Sequence, residues 1–427
     1  MRAAQIASTA PAAPFSERLA TVDTSPIRHR IITLMQVYTY LLILVLTLSP
    51  FDFGLPRRIW ISGLDGTAEI VVNVLLFLPM GFLYGLRGRG PRLLLRAALY
   101  GLAASLFIET AQIFLPQRMS SISDLSANAM GTALGALLAT RTRGLFSARL
   151  PDRLVLELPS MNILYLLIPL FWLQGTGNIK QHGHLLPTIL LGLAGAVVLG
   201  GLWRYRIGPH AHLQRRWVPL IAMLWFVLAS GPFLLRAQLH RTSPAAHEAL
   251  IVLGMIAPMV GLFAFLVAVV PGRGWRQGLR FEPLILRTVF ILFVCYCLAE
   301  SLLPVADLTR SWFGVLTWPT FDFDRGQSMA LASDIAALSV LGYISSAMLS
   351  RRWNAPLANL IASLIVCLAV ATICELLEGH HVSRHASALR VLLGLAGVTL
   401  ACQLYWTQLA LVRALQPDRA AGLKQLA

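Results

Sequence analysis

Six polar residues lie in or beside apolar runs in the first third of the chain, and each carries a group that can bind or move charge. Asn73 opens Asn73-Val-Leu-Leu-Phe-Leu-Pro-Met-Gly81. Glu109 and Gln112 close Ile108-Glu-Thr-Ala-Gln112. Arg118 sits in the connector that follows, and Asp124 and Asn128 begin the next run. Glu109 and Gln112 are three residues apart and Asp124 and Asn128 four, so on helices each pair shares a face. Carboxylate, guanidinium and amide groups together suit a polar headgroup, and the apolar walls around them suit acyl chains.

Each of these residues also has a purely structural reading. Ser121-x-x-Asp124 is a capping-box pattern, so Asp124 can simply start a helix. Asn73, Gln112 and Asn128 can join helices by hydrogen bonds, and Arg118 can snorkel or pair with Asp124. Glu109 resists that treatment. Counted back from Pro116, it lies roughly 10 Å inside the run, where an acid is costly unless paired or neutral.

Other chemistry has little support. There is no phosphate loop, no Gly-x-Ser-x-Gly elbow and no His-Glu-x-x-His. Cys295, Cys297, Cys367, Cys374 and Cys402 all fall in apolar runs and read as small buried hydrophobes. The histidines of Gly379-His-His-Val-Ser-Arg-His385 match no established ligand spacing, so neither metal nor cofactor is expected.

The elements that must position the six residues are membrane helices. The 427 residues are 57% hydrophobic and 13% charged, against roughly 25% charged in soluble domains. The apolar runs are long and continuous, which excludes a barrel of short alternating strands. The fold expected is an all-α, polytopic transmembrane bundle of about twelve helices. Helices are expected near 31–50, 69–86, 94–116, 124–140, 160–174, 184–203, 217–235, 248–271, 284–303, 328–350, 356–378 and 387–413. The net charge of +16 comes mostly from arginines in short loops, not from an aromatic-interleaved basic patch, so no nucleic acid is expected. With the loops taken alternately, the 35 Lys and Arg divide 25 to 10. The positive-inside bias then puts both termini in the cytoplasm of an inner-membrane protein and the six polar residues toward the outer face.

Two stretches recur. Asn73 to Gly81 is echoed by Asp334 to Gly342, and Ile108-Glu109-x-x-Gln112 by Cys374-Glu375-x-x-Glu378, at offsets of 261 and 266. A Phe-Asp-Phe at 51–53 also recurs at 321–323, with a larger offset and less weight. The pattern predicts two parallel four-helix repeats flanking four middle helices. The divisions are a disordered tail (1–30), a four-helix unit (31–140), the middle helices (141–283), a degenerate second unit (284–413) and a tail (414–427). The second unit carries Glu300, Asp334, Glu375 and Glu378 but shows no counterpart of Asp124 or Asn128.

The residues of the first unit resemble the VanZ-like family of bacterial membrane proteins. The resemblance rests on Pro50-Phe-Asp-Phe53, on Asn73, Phe77, Pro79 and Gly81, on Glu109 and Gln112, on Arg118, and on Asp124, Asn128 and Gly131. It covers residues 35–140 well and 284–405 weakly. It implies a cell-envelope role linked to resistance to glycopeptide antibiotics such as teicoplanin, or to envelope polysaccharide systems, with no settled reaction. The reading favoured is a non-enzymatic protein whose outer-leaflet polar site binds a lipid-linked glycan, a lipid headgroup or a lipophilic glycopeptide. Its expected partners are membrane lipids and envelope-biosynthesis membrane proteins. The alternatives are a transporter or flippase of an envelope lipid, against which stands the lack of deep midplane polar residues. A membrane enzyme using Glu109 or Asp124 as acid or base is the other, and it lacks a nucleophile or metal signature.

Overall fold

A computed structural model describes residues 25–48, 53–54, 61–62, 67–88, 90–115, 120–147, 158–176, 185–204, 216–231, 252–269, 283–303, 305–309, 311, 325–350, 352–381, 386 and 388–415. The apolar runs are helical, because in hydrocarbon a helix satisfies its backbone hydrogen bonds within one segment. Twelve α-helices form among the described residues: α1 (Ser25–Leu48), α2 (Thr67–Arg87), α3 (Leu93–Gln112), α4 (Ile122–Ser147), α5 (Leu158–Thr176), α6 (Leu185–Leu202), α7 (Trp217–Ala229), α8 (Ala257–Val269), α9 (Pro283–Leu302), α10 (Arg325–Leu349), α11 (Pro356–Glu378) and α12 (Ala388–Leu415). A π-helical turn, Val252–Ile256, leads into α8. The strands described, Ile61–Ser62 (β1) and Ser120–Ser121 (β2), are two residues each and pair in parallel.

Eight of the twelve helices are long and apolar enough to cross a membrane, and α5, α7 and α8 supply shorter apolar stretches. The protein is a multi-pass, all-α bundle. α4 falls below the apolar threshold because its sequence, Ile-Ser-Asp-Leu-Ser-Ala-Asn-Ala-Met-Gly-Thr, is rich in small and polar residues. Its glycines instead face α2. A β-carbon on Gly131 would lie 2.3 Å from the Val74 carbonyl oxygen, and one on Gly81 would lie 2.0 Å from that of Thr132. Side chains larger than hydrogen cannot fit there, and the two backbones approach closely as in other small-residue membrane interfaces.

Several helix ends differ from the sequence expectation, α7 stopping at Ala229 instead of 235 and α8 starting at Ala257, after a π-helical turn, instead of 248. α1 begins at Ser25, six residues early, so the last six residues of the expected 1–30 tail are helical. α4 runs to Ser147 instead of 140. Hydropathy marks where a helix leaves the apolar layer, and nothing obliges the helix to end there. α3 stops at Gln112 instead of 116. The Phe114 and Leu115 amides donate to Ala111 and Gln112, a tightening of the chain into 3-10-type bonds ahead of Pro116.

Packing divides the interior in two. Ile43, Leu48, Phe77, Met80, Ile108 and Leu115 form a small core among α1–α3 and the turn after α3. A larger continuous core joins α5 to α12 and also takes Tyr38, Leu42 and Val45 of α1, so α1 belongs to both. α1 rests on α10 and α12, and α6 packs on α8 and α9. Leu95, Leu99, Leu106 and Phe107 of α3 and Leu357, Ile361, Ile365 and Leu368 of α11 remain exposed, as a lipid-facing surface requires.

Candidate functional site

The polar residues of the first unit gather at the end of the bundle where α3 stops and α4 starts. Asn73, in the second turn of α2, donates from Nδ2 to Asp124 Oδ1 at 2.5 Å, and both residues are half-buried. Asp124 stands in the first turn of α4, where the helix dipole favours an anion. Glu109 is 6% exposed and lies in the last turn of α3, not two turns inside as counted from Pro116. Its Oε2 accepts the Ser121 backbone N–H at 2.9 Å. In a capping box that amide would point to the Asp124 carboxylate, so Glu109 takes over a role expected of Asp124.

Two further bonds fix the site to its surroundings. Gln112 Nε2 donates to the Thr47 carbonyl at 3.0 Å and ties α3 to α1. Asn128 Nδ2 donates to Ser105 Oγ at 2.8 Å and ties α4 to α3 one turn below Glu109. Chain segments cover this end of the unit. The Gly54 amide donates to the Phe114 carbonyl at 2.8 Å, and β1 lies alongside β2 at the start of α4.

Five of the six predicted residues therefore lie toward one end of α2–α4, and of these Asn73 and Asp124 bond to each other directly. The sixth, Arg118, lies outside the described residues. The partners Ser105 and Thr47 carry no signal in the sequence, because a hydroxyl or a backbone group gives none until its neighbour is known. Asn128 is 4% exposed, and its Oδ1 has no hydrogen-bond partner among the described residues. A buried oxygen left this way costs about 1–3 kcal/mol.

A second polar centre occupies the other four-helix set, built on the acids Asp334, Glu375 and Glu378 named from the sequence and on an arginine that was not. Arg390, in the first turn of α12, bonds through Nε to Asp334 Oδ2 at 2.5 Å and lies 3.5 Å from Glu375 Oε1. Its Nη1 donates to Glu378 Oε2. Beside it, buried His381 meets the Ser301 carbonyl through Nε2 at 3.0 Å. The sequence reading had counted Arg390 as a loop charge and found no counterpart of Asp124. The signal was available, since Arg390 follows Asp124 at the same offset of 266 that relates Glu375 to Glu109. The exchange of an acid for a base hid it.

With that geometry in hand, comparison with protein families gives one match: residues 16–146 fit the VanZ/LLP1 family. The match spans α1 to α4 and so contains all six candidate residues named from the sequence. Curated proteins and solved structures give no match.

Proposed function

Residues 16–146 are a VanZ-like unit, and from that premise we propose that this membrane protein binds an envelope lipid or lipophilic glycopeptide by its headgroup. Asn73, Glu109, Gln112, Arg118, Asp124 and Asn128 form the binding site, which opens to the outer leaflet of the bacterial inner membrane. The observation that carries the reading is Asn128 Oδ1, a buried acceptor without a donor among the described residues. A hydroxyl or amine of a bound glycan or headgroup supplies the donor. Glu109 and Asp124 accept further bonds, and Arg118 neutralises acid on the ligand or the site. The exposed apolar flank of α3 gives acyl chains a path alongside. The role is binding, tied to glycopeptide resistance or envelope polysaccharide handling by family resemblance.

Lipid that co-purifies with the protein tests this. Mass spectrometry of extracts from the purified full-length chain should find one headgroup class enriched over the bulk membrane, and Asn128→Leu should abolish the enrichment. Bulk composition in both preparations would contradict the proposal.

Orientation follows from the loop charges. Reporter fusions after residues 90, 145, 210, 278 and 420 should read cytoplasmic, and fusions after 60, 180 and 320 external. One inversion partway along would mean that the site opens to the other face.

A further inference from the structure

The two polar centres are related position by position. α2 packs most extensively on α4, and α10 on α12. The Gly54 amide donates to the Phe114 carbonyl, and the Thr309 amide to that of His380 at 2.9 Å. A β-carbon on Gly131 would meet the Val74 carbonyl, and one on Gly397 would meet that of Ile335 at 2.7 Å. One on Gly81 would meet Thr132, and one on Gly342 would meet Val398 at 2.9 Å. Residues 114/380, 131/397 and 132/398 are separated by 266, and 74/335 and 81/342 by 261. Those are the two offsets of the sequence echoes, now carried by contacts between helices. The same contacts move the Phe-Asp-Phe echo, since pairing Gly54 with Thr309 matches Asp52 to Asp307 and not to Asp322.

In this register Asn73 corresponds to Asp334, Gln112 to Glu378 and Asp124 to Arg390. The helix 2 to helix 4 contact is kept, as Asn73 with Asp124 and as Asp334 with Arg390. Its chemistry is exchanged. We infer that the second unit is a charge-swapped duplicate of the first centre, in which the guanidinium of Arg390 is a resident cation. It pairs with Asp334, Glu375 and Glu378 and clamps α10 and α11 to α12. The assignment of ligand binding to the first unit rests on the proposed function above. The clamp does not, and its test needs no ligand.

Three forms of the full-length chain test it, by membrane abundance and by melting temperature in detergent. R390D leaves a buried cluster of acids without its cation, and abundance should fall about tenfold. D334N/E378Q/R390D writes the set of Asn73, Gln112 and Asp124 into the second unit, and should return abundance to within about twofold of wild type, because two of the three acids become neutral amides and the Asn–Asp contact is regained. Wild-type abundance for R390D would show that Arg390 clamps nothing. A triple variant as low as R390D would show that the positions are not equivalent. Lipid co-purification in the first unit is a separate readout, so failure there leaves these outcomes interpretable.

Discussion

Gly131→Leu and Gly81→Leu are each expected to remove most of the folded protein from the membrane. At both positions the atoms that an added β-carbon would strike belong to the facing backbone: Val74 at 2.3 Å and Thr132 at 2.0 Å. Backbone cannot rotate aside as a side chain does, so α2 and α4 must separate. Overpacking of an interior costs about 1–3 kcal/mol, occasionally more. Here the separation also undoes the close contact that drives helix association in lipid. Because Asn73 on α2 bonds Asp124 on α4, the polar centre opens with the interface. Gly231→Ala is the control, since a methyl there meets nothing within 4 Å among the described residues. Its abundance and melting temperature should match wild type, while the two leucine variants should lose most of their folded fraction.

Glu109→Gln should do the reverse: keep the fold and lose the function. The amide is nearly isosteric, and its oxygen can still accept the Ser121 N–H. A hydrogen bond to a charged group is worth about 1.5–3 kcal/mol net and one to a neutral group about 0.5–1.5, so the change weakens that bond modestly. Against this, a buried carboxylate at the edge of a span carries a desolvation cost, which the amide removes. The two effects oppose each other, and membrane abundance should not fall below the wild-type level. Function should be lost if the charge meets a ligand. Glu375→Gln is the matching variant of the second unit. It removes the longest of the three Arg390 contacts, at 3.5 Å, and leaves Asp334 and Glu378 in place, so it should do less harm.

The parts of this protein that could be read from sequence were those set by the solvent. The apolar runs marked each of the twelve helices, because burial in lipid acts on every residue of a span. Asn73, Glu109, Gln112, Asp124 and Asn128 stood out because polar groups in such runs are costly. What remained hidden depended on partners. Ser105 looked like any small residue until Asn128 was seen to face it. Arg390 looked like a loop arginine because it lies in the first turn of α12, where the apolar run begins. Only the contacts of Asp334, Glu375 and Glu378 gave it a place. The helix ends at Ser25 and Ser147 were missed because helical hydrogen bonding continues into polar sequence beyond the apolar layer.

The central claim is that the centre around Glu109 holds a ligand and is not merely scaffolding. The most direct test measures membrane abundance and the envelope or glycopeptide-susceptibility phenotype together, in the same cells, for wild type, Glu109→Gln, Arg118→Ala and Glu375→Gln. The account predicts wild-type abundance with loss of phenotype for Glu109→Gln and Arg118→Ala, and a largely retained phenotype for Glu375→Gln. A phenotype that simply follows abundance across all four would contradict it and leave the centre as a packing network.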